Sequence, residues 1–331
     1  MAFLMHDEHQ DSSESEHEQD SSRRRRRTSS PSQSASKKAR YSPSAVEHNA
    51  NSNGDSKPTS ASEPLSLSIL GVEPLDEFIR EVADWIHGLI MSRPDLGGHV
   101  EVEGKVGLLK YKDGNHRLNY PIRVETILMG GDDHKFESNM SAAQHKHFNQ
   151  LLNSLEASSR LPSHPTSPLR YTHTKLVDTF YGGDSRDGKI RVTRDEKTGE
   201  VKECMRKVRL GDLEVFSPKR HADWRISVNV EIPATHPVGT ASLTRRKDRM
   251  SYSHEEFSID LTQVNQTTSP GSPPQIMHEL EVEFARPTLL MSTAATRMDP
   301  GASQRDRDAF DELVRAFVNN MRVLVRNALP P

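Results

Sequence analysis

Cysteine is all but missing: Cys204 stands alone among 331 residues, which excludes an intramolecular disulfide and any zinc site built from several thiolates. Long apolar runs are missing too. No stretch approaches the ~18 residues of a membrane span and the N-terminus lacks a signal-peptide core, so the expectation is an intracellular protein with no membrane segment. The sequons at Asn139 and Asn265 are then chance matches. A net charge of −3 leaves no global basic field, so a nucleic acid would have to be met by a local cluster.

What is present divides unevenly along the chain. Residues 1–65 hold serine, acidic residues and almost nothing apolar after Met5, too little to offset the entropy of ordering, and are expected to form a disordered tail. Within it an acidic block from Asp7 to Asp20 precedes the run Arg23 to Arg27, and Lys37-Lys38-Ala39-Arg40 follows. Two basic clusters across a polar spacer resemble a bipartite nuclear-import signal, the other reading being a basic arm that contacts RNA nonspecifically. Phosphorylation at Ser30-Pro31 or Ser42-Pro43 would weaken either. Residues 66–331 are expected to form one α+β domain with a sizeable core.

Two stretches far apart in that domain place carboxylates on alternate residues: Glu101-Val102-Glu103-Gly104-Lys105 and Glu279-Leu280-Glu281-Val282-Glu283-Phe284. On a strand, residues two apart share a face, so each stretch presents a column of acids backed by aliphatic side chains. Carboxylates ~7 Å apart at an effective dielectric near 20 oppose one another by roughly 2 kcal/mol per pair. A cation is expected to accompany them wherever solvent is restricted, and a divalent metal is the natural candidate.

The remaining pattern mixes helices and strands. Leu75, Phe78, Ile79, Val82, Ile86, Leu89 and Ile90 form a helical stripe that Pro94 and Gly97-Gly98 end, and a strand is expected from His99 through Gly107. A second helix is expected over 141–155, with Phe148, Leu151, Leu152 and Leu155 inward. From about Leu176 to Phe284 the reading is mostly strands. Arg225, Ser227, Asn229 and Glu231 alternate with Ile226, Val228, Val230 and Ile232; Asp260 and Thr262 alternate with Ile259 and Leu261. Lys247, Arg249 and Ser251 share a face opposite Met250 and Tyr252. Turns are signalled at Asp195 to Gly199 and Ser269 to Pro274. A third helix carries Phe310, Leu313, Val314, Phe317, Met321, Leu324 and Val325 on one side.

Six or more such strands and three helices share one core in either of two ways. A sheet turns its apolar face to helices and its charged face to water, or it closes into a barrel with charged faces inside and apolar faces outside, jacketed by the helices. Alternation alone does not choose. Charge distribution favours the barrel: the first and last strands are acidic while the strands between supply Arg191, Lys207, Arg209, Arg225, Lys247 and Arg249, as opposite walls of a tunnel would.

These motifs come in the order seen in fungal RNA 5′-triphosphatases, the β subunit of the mRNA-capping enzyme, within the triphosphate tunnel metalloenzymes. The resemblance rests on the two acidic stretches, on Arg225 to Pro233 and on Arg246-Lys247-Asp248-Arg249-Met250-Ser251-Tyr252. It runs from Pro74 to Ala328 and takes in Asp178 to Tyr181, the Lys197-Thr198-Gly199 turn, Phe216 to Lys219 and Asp260. It implies a closed eight-stranded antiparallel tunnel that hydrolyses the γ-phosphate of triphosphate-ended nascent mRNA, the first step of cap formation. Carried over by position, Glu101, Glu103 and Glu283 would ligate Mg²⁺ or Mn²⁺, with Glu279 and Glu281 on the same acidic strand; oxygen-only ligands suit such hard cations. Arg191, Lys207, Lys247 and Arg249 would grip the terminal phosphates, with Arg209 and Arg225 as further substrate-binding candidates. Glu231 would orient or deprotonate the attacking water, and Asp260 would hold a basic side chain in place. The partners implied are the guanylyltransferase subunit, the transcription machinery and a second copy of the chain, in the nucleus.

Two other readings compete. A tunnel hydrolase of inorganic polyphosphate or thiamine triphosphate shares the acidic logic, and the basic tail favours RNA over these. A nonenzymatic RNA-binding module is the reading from another class, weakened by five glutamates that would repel phosphate without metal. Cys204 is expected to be structural, His145 and His147 to point to different sides of their helix, and Trp85 and Trp224 to pack the core or a subunit contact. Lys105 and Glu125 carry no assigned role.

Overall fold

The computed structural model describes residues 66–71, 76–182, 188–268 and 273–331. The tail of residues 1–65, Pro74, Leu75 and the turn residues Ser269 to Ser272 lie outside the described residues. Helix α1 (Glu77–Ser92) begins where the Asp76 carboxylate accepts from the backbone N–H of Phe78 and Ile79, satisfying donors that a helix start otherwise leaves open. Helix α2 (Ala142–Ser159) begins with a capping box of Ser141 and Gln144 and extends beyond the expected Leu155. Two further helices, α3 (Pro287–Thr296) and α4 (Gln304–Arg326), close the chain. The sequence foretold three helices; α3 is the addition, opened by a proline in its first turn, where a missing N–H costs nothing.

The strands are β1 (His99–Tyr111), β2 (Thr126–Leu128), β3 (His134–Glu137), β4 (Arg170–Tyr181), β5 (Ile190–Asp195), β6 (Val201–Phe216), β7 (Asp223–Pro233), β8 (Leu243–His254), β9 (Phe257–Thr267) and β10 (Gln275–Phe284). Eight of them pair in the cyclic order β10-β9-β8-β4-β5-β6-β7-β1, every pairing antiparallel, and β1 against β10 closes the ring with Glu103 opposite Glu283. The short strands β2 and β3 attach to β6 and β1 outside it. The structure is thus the closed, charged-inside barrel, and the open sheet with a solvated face is set aside.

The jacket of helices explains why the apolar faces turn outward. Val100, Val102, Val106, Ile226, Val228, Leu280 and Val282 are buried in one cluster with Ile79, Val82, Ile86 and Ile90 of α1 and with Phe310, Val314, Phe317 and Met321 of α4. Phe284 stacks on Phe317 with ring centroids 4.9 Å apart. Burying each such side chain is worth roughly 1.5–3 kcal/mol before entropy, so the face of α4 is a principal reason the barrel closes as it does. Gly104 lies under that helix: a Cβ there would stand 2.6 Å from Met321 Sδ. In β6 a register shift between Arg209 and Gly211 adds one residue to the strand, and a bulge of this kind moves the following side chains to the other parity. Arg209 and Asp212 therefore share the inner face.

Candidate active site

Register places the charged residues before any side-chain contact is considered. Glu101, Glu103 and Lys105 of β1 alternate inward, as do Glu279, Glu281 and Glu283 of β10, and Glu103 faces Glu283 across the closing pair. Asp260 lies beside Glu281 on β9. Continuing round the ring, β8 contributes Arg245, Lys247 and Arg249, β4 Asp178, β5 Arg191 and Thr193, β6 Lys207 and Arg209, and β7 Glu231. Apart from Asp260, these side chains line a central cavity of ≈ 670 Å³. Arg225 shares their parity but does not line the cavity. It pairs in register with Lys105 of β1 and Glu214 of β6 and lies 4.8 Å over the Phe136 ring, with Nε 3.6 Å from Asp212.

Almost every charge in the tunnel is matched. Lys207 Nζ lies 2.5 Å from Glu101 and 3.5 Å from Glu103, and Lys105 lies 2.5 Å from Glu281 and 3.3 Å from Glu103. Arg245 reaches Glu279 at 2.7 Å, Lys247 reaches Asp178 at 2.5 Å and Arg249 reaches Asp260 at 2.8 Å. Glu231 is buried, 3.0 Å from Arg191 and 3.4 Å from His99 Nε2. The Nε atoms of Arg191, Arg245 and Arg249 are buried and donate to no acceptor among the described residues. Three guanidinium donors held out of water without acceptors suit an anion with several oxygens.

Ionisation follows the same map. Burial works against the Glu103 carboxylate, but Lys105 and Lys207 outweigh it and hold Glu103 below the usual range. Glu281 is likewise held down against burial by Lys105 and Arg249. Glu101 is pushed up by burial and by Glu103. Glu283 departs furthest: burial, then Asp260, Glu101 and Glu281, push it up to about 8. With every carboxylate ionised the acidic wall would carry more negative charge than its basic partners offset, and Glu283 keeps its proton instead.

That surplus is the test of whether a metal fits. Among the described residues no three His, Cys, Asp or Glu side chains stand together so as to hold an ion, because Lys207 and Lys105 occupy the space between the acids. The donor set nevertheless fits a hard divalent cation: oxygen ligands only, on adjacent strands, with one carboxylate left uncompensated.

Sequence reasoning did not single out Arg245, and it quoted Asp178 and Lys105 within motifs without giving either a role. Arg245 follows the same two-residue step as Lys247 and Arg249, and Lys105 the step of Glu101 and Glu103, so the signal was present. Glu125 lies outside the tunnel, accepting from Trp224 Nε1 at 3.0 Å and Arg322 at 2.7 Å. Trp224 is fully buried, and Cys204 lies partly buried in β6 with its thiol pushed up by burial.

Comparison with known proteins agrees with this architecture. The family model described as mRNA capping enzyme, beta chain, matches residues 72–330. The mRNA-capping enzyme subunit beta of Schizosaccharomyces pombe is 33% identical over 88% of this chain and 94% of its own length. Its counterpart in Cryptococcus neoformans is 33% identical over 82% of this chain and 66% of its own. The solved Pct1 RNA triphosphatase of S. pombe superposes with a TM-score of 0.72 at 33% identity, covering 81% of this chain and all (100%) of that one. With the ring of strands, the acidic closing pair and a match spanning the whole barrel in agreement, this chain belongs to the mRNA capping enzyme beta-chain family.

Proposed function

We propose that the chain hydrolyses the γ-phosphate of a 5′-triphosphate RNA end, releasing inorganic phosphate and leaving a 5′-diphosphate end for capping. The single observation that carries this reading is the closing pair: Glu103 meets Glu283 in register, on a wall that faces Arg191, Lys207, Lys247 and Arg249 across an enclosed cavity. Such a space takes a triphosphate on the basic side and a divalent cation on the acidic side. The names of the similar proteins, an RNA triphosphatase and capping-enzyme subunits, support the same substrate.

Hydrolysis builds negative charge on the transferred phosphoryl group and on the β–γ bridging oxygen, so catalysis is mainly positioning and electrostatic stabilisation. Arg191 and Arg249 would bind phosphate oxygens in forked fashion and Lys207 and Lys247 as point charges. Asp178 and Asp260 fix Lys247 and Arg249. Glu231, held by Arg191, would orient the water that attacks the γ-phosphorus and take its proton as the bridging P–O bond breaks. Glu101, Glu103 and Glu283 would hold Mg²⁺ or Mn²⁺, with Glu279 and Glu281 extending the acidic row. The bound ion supplies positive charge to the γ-phosphate oxygens.

Around this core the reading extends to the nucleus, with the basic clusters of residues 1–65 addressing the chain there and residues 66–331 the catalytic domain. A guanylyltransferase subunit is the expected partner, since the matched relatives are subunits of a capping enzyme. A Pct1 structure contains the Spt5 CTD, which supports contact with the transcription machinery. A homodimer formed through the helices and the first strand-loop region completes the proposal.

The test is single replacement of Glu101, Glu103 or Glu283 by Ala, with phosphate release from triphosphate-ended RNA measured at saturating Mg²⁺ or Mn²⁺. Release should vanish while the far-ultraviolet circular dichroism stays unchanged. Wild-type turnover in any of the three would refute the assignment.

A further inference from the structure

The two mouths of the tunnel differ in charge. At one, where β4 ends and β5 and β8 begin, a cavity of ≈ 450 Å³ continuous with the tunnel is lined by Lys189, Arg191, Lys207, Arg209 and Arg245, and by no carboxylate among the described residues. At the other, where β5 ends and β6 begins, Asp195 and Glu203 outnumber Lys202. Three of the five bases at the first mouth are tied to acids deeper in or on the far wall, and Arg209 to Asp212 just beyond at 2.8 Å. Lys189 stands exposed at the rim.

The same mouth interleaves apolar surface with the cations: Phe180, Met205 and Leu243 line it. A groove with both positive charge and an aromatic face is what single-stranded nucleic acid takes, its phosphates tracking the cations and its bases stacking on the ring. An inorganic triphosphate needs no such surface. A polyanion attached to the triphosphate must leave by one mouth, and the acidic one repels it.

We propose that the RNA chain leaves the tunnel through the cationic mouth, with Lys189 contacting a phosphate of its first nucleotides and Phe180 the face of a base. This rests on the triphosphatase reading and adds the path of the substrate. Lys189 and Phe180 are positioning residues: they select RNA over a bare triphosphate without touching the bond that breaks.

The experiment compares kcat/KM for a triphosphate-ended RNA oligomer with that for inorganic tripolyphosphate, in the full chain with saturating Mn²⁺. Lys189→Glu should lower the RNA-to-tripolyphosphate ratio about tenfold, through KM rather than kcat, and Lys189→Ala should reduce the salt slope for RNA by ~0.7. Phe180→Leu, which keeps volume but removes the ring, should lower the ratio severalfold. Lys202→Glu at the acidic mouth should leave it unchanged. A ratio that falls with Lys202→Glu instead, or that stays level with Lys189→Glu, would overturn the path while leaving the hydrolysis intact. Failure of the wild-type chain to release phosphate from either substrate would sink the triphosphatase reading and the path with it.

Discussion

Replacing Glu283 with Gln should stabilise the metal-free protein at alkaline pH while removing its activity. Burial and the charges of Asp260, Glu101 and Glu281 push Glu283 up to about 8, from an ordinary value of 4.5. A carboxyl group raised in the fold keeps a proton that the unfolded chain has already released. Its stabilising contribution is complete below the unfolded value and is lost as pH rises through the folded one. At 1.36 kcal/mol per pKa unit, the whole loss comes to ~5 kcal/mol; the side chain is only half-buried and its neighbours relax, so about 2–3 kcal/mol is the working figure. Gln carries no proton to lose. Glu283→Gln and wild type should therefore melt together near pH 4.5 and diverge by roughly 5 °C at about pH 9 in chelator. Mn²⁺ should then raise the wild-type melting temperature by about as much, since binding at ~100 times Kd stabilises by ~2.7 kcal/mol, and should do little for the variant. Calorimetry across that pH range, with chelator and with Mn²⁺, decides the matter. Coincident melts at alkaline pH, or equal stabilisation of both proteins by Mn²⁺, would refute the idea of an uncompensated carboxylate awaiting a cation.

Three other substitutions probe separate links. Gly104→Val places a Cβ 2.6 Å from Met321 Sδ and 2.9 Å from Phe317, so it should cost ~1–3 kcal/mol in urea unfolding; adding Met321→Ala should restore part of that loss, and a lone Gly104→Val as stable as wild type would contradict the packing argument. Asp178→Asn leaves the buried Lys247 ammonium, 2.5 Å away, without its counter-charge and should cost ~3 kcal/mol; an unchanged urea midpoint would show that the pair contributes nothing. Glu231→Gln should lower kcat at least ~100-fold with KM for tripolyphosphate little changed; a loss confined to KM would assign Glu231 to binding instead.

Much of this site was legible because β-structure has a period of two. Glu101 with Glu103, the Glu279 to Glu283 row, and Lys247 with Arg249 each declared one face of a strand. Alternation could not say which face was inside, because a solvated face and a tunnel wall read alike; the apolar stripes of α1 and α4 decide it by needing outer faces to cover. Arg245 was missed because the outward residues beside it, Thr244 and Arg246, are polar, leaving no contrast at the start of β8. Arg225 was read with the wall because parity puts it there, yet its guanidinium turns to Phe136 and Asp212 instead of into the cavity. The bulge before Gly211 and the helix at Pro287 left no periodic trace, since one is a single extra residue and the other is short with apolar residues on all sides.

The pairing of acids with bases across the tunnel bears directly on how it is filled. Lys207 neutralises Glu101, Lys105 neutralises Glu281, and Arg245, Lys247 and Arg249 are each held by a carboxylate. A triphosphate entering alone would compete with those carboxylates for every base it touches and would leave the acids unpaired in a space of low dielectric. A cation entering alone would displace the lysines from the acidic wall with no new partner for them. Together the two exchange each internal ion pair for one with a ligand: carboxylates pass to the metal, and the released lysines and arginines to phosphate. Each exchange is more favourable when the other accompanies it, so the charge balance of the tunnel itself couples metal to substrate, and by linkage each must raise the affinity for the other by the same factor.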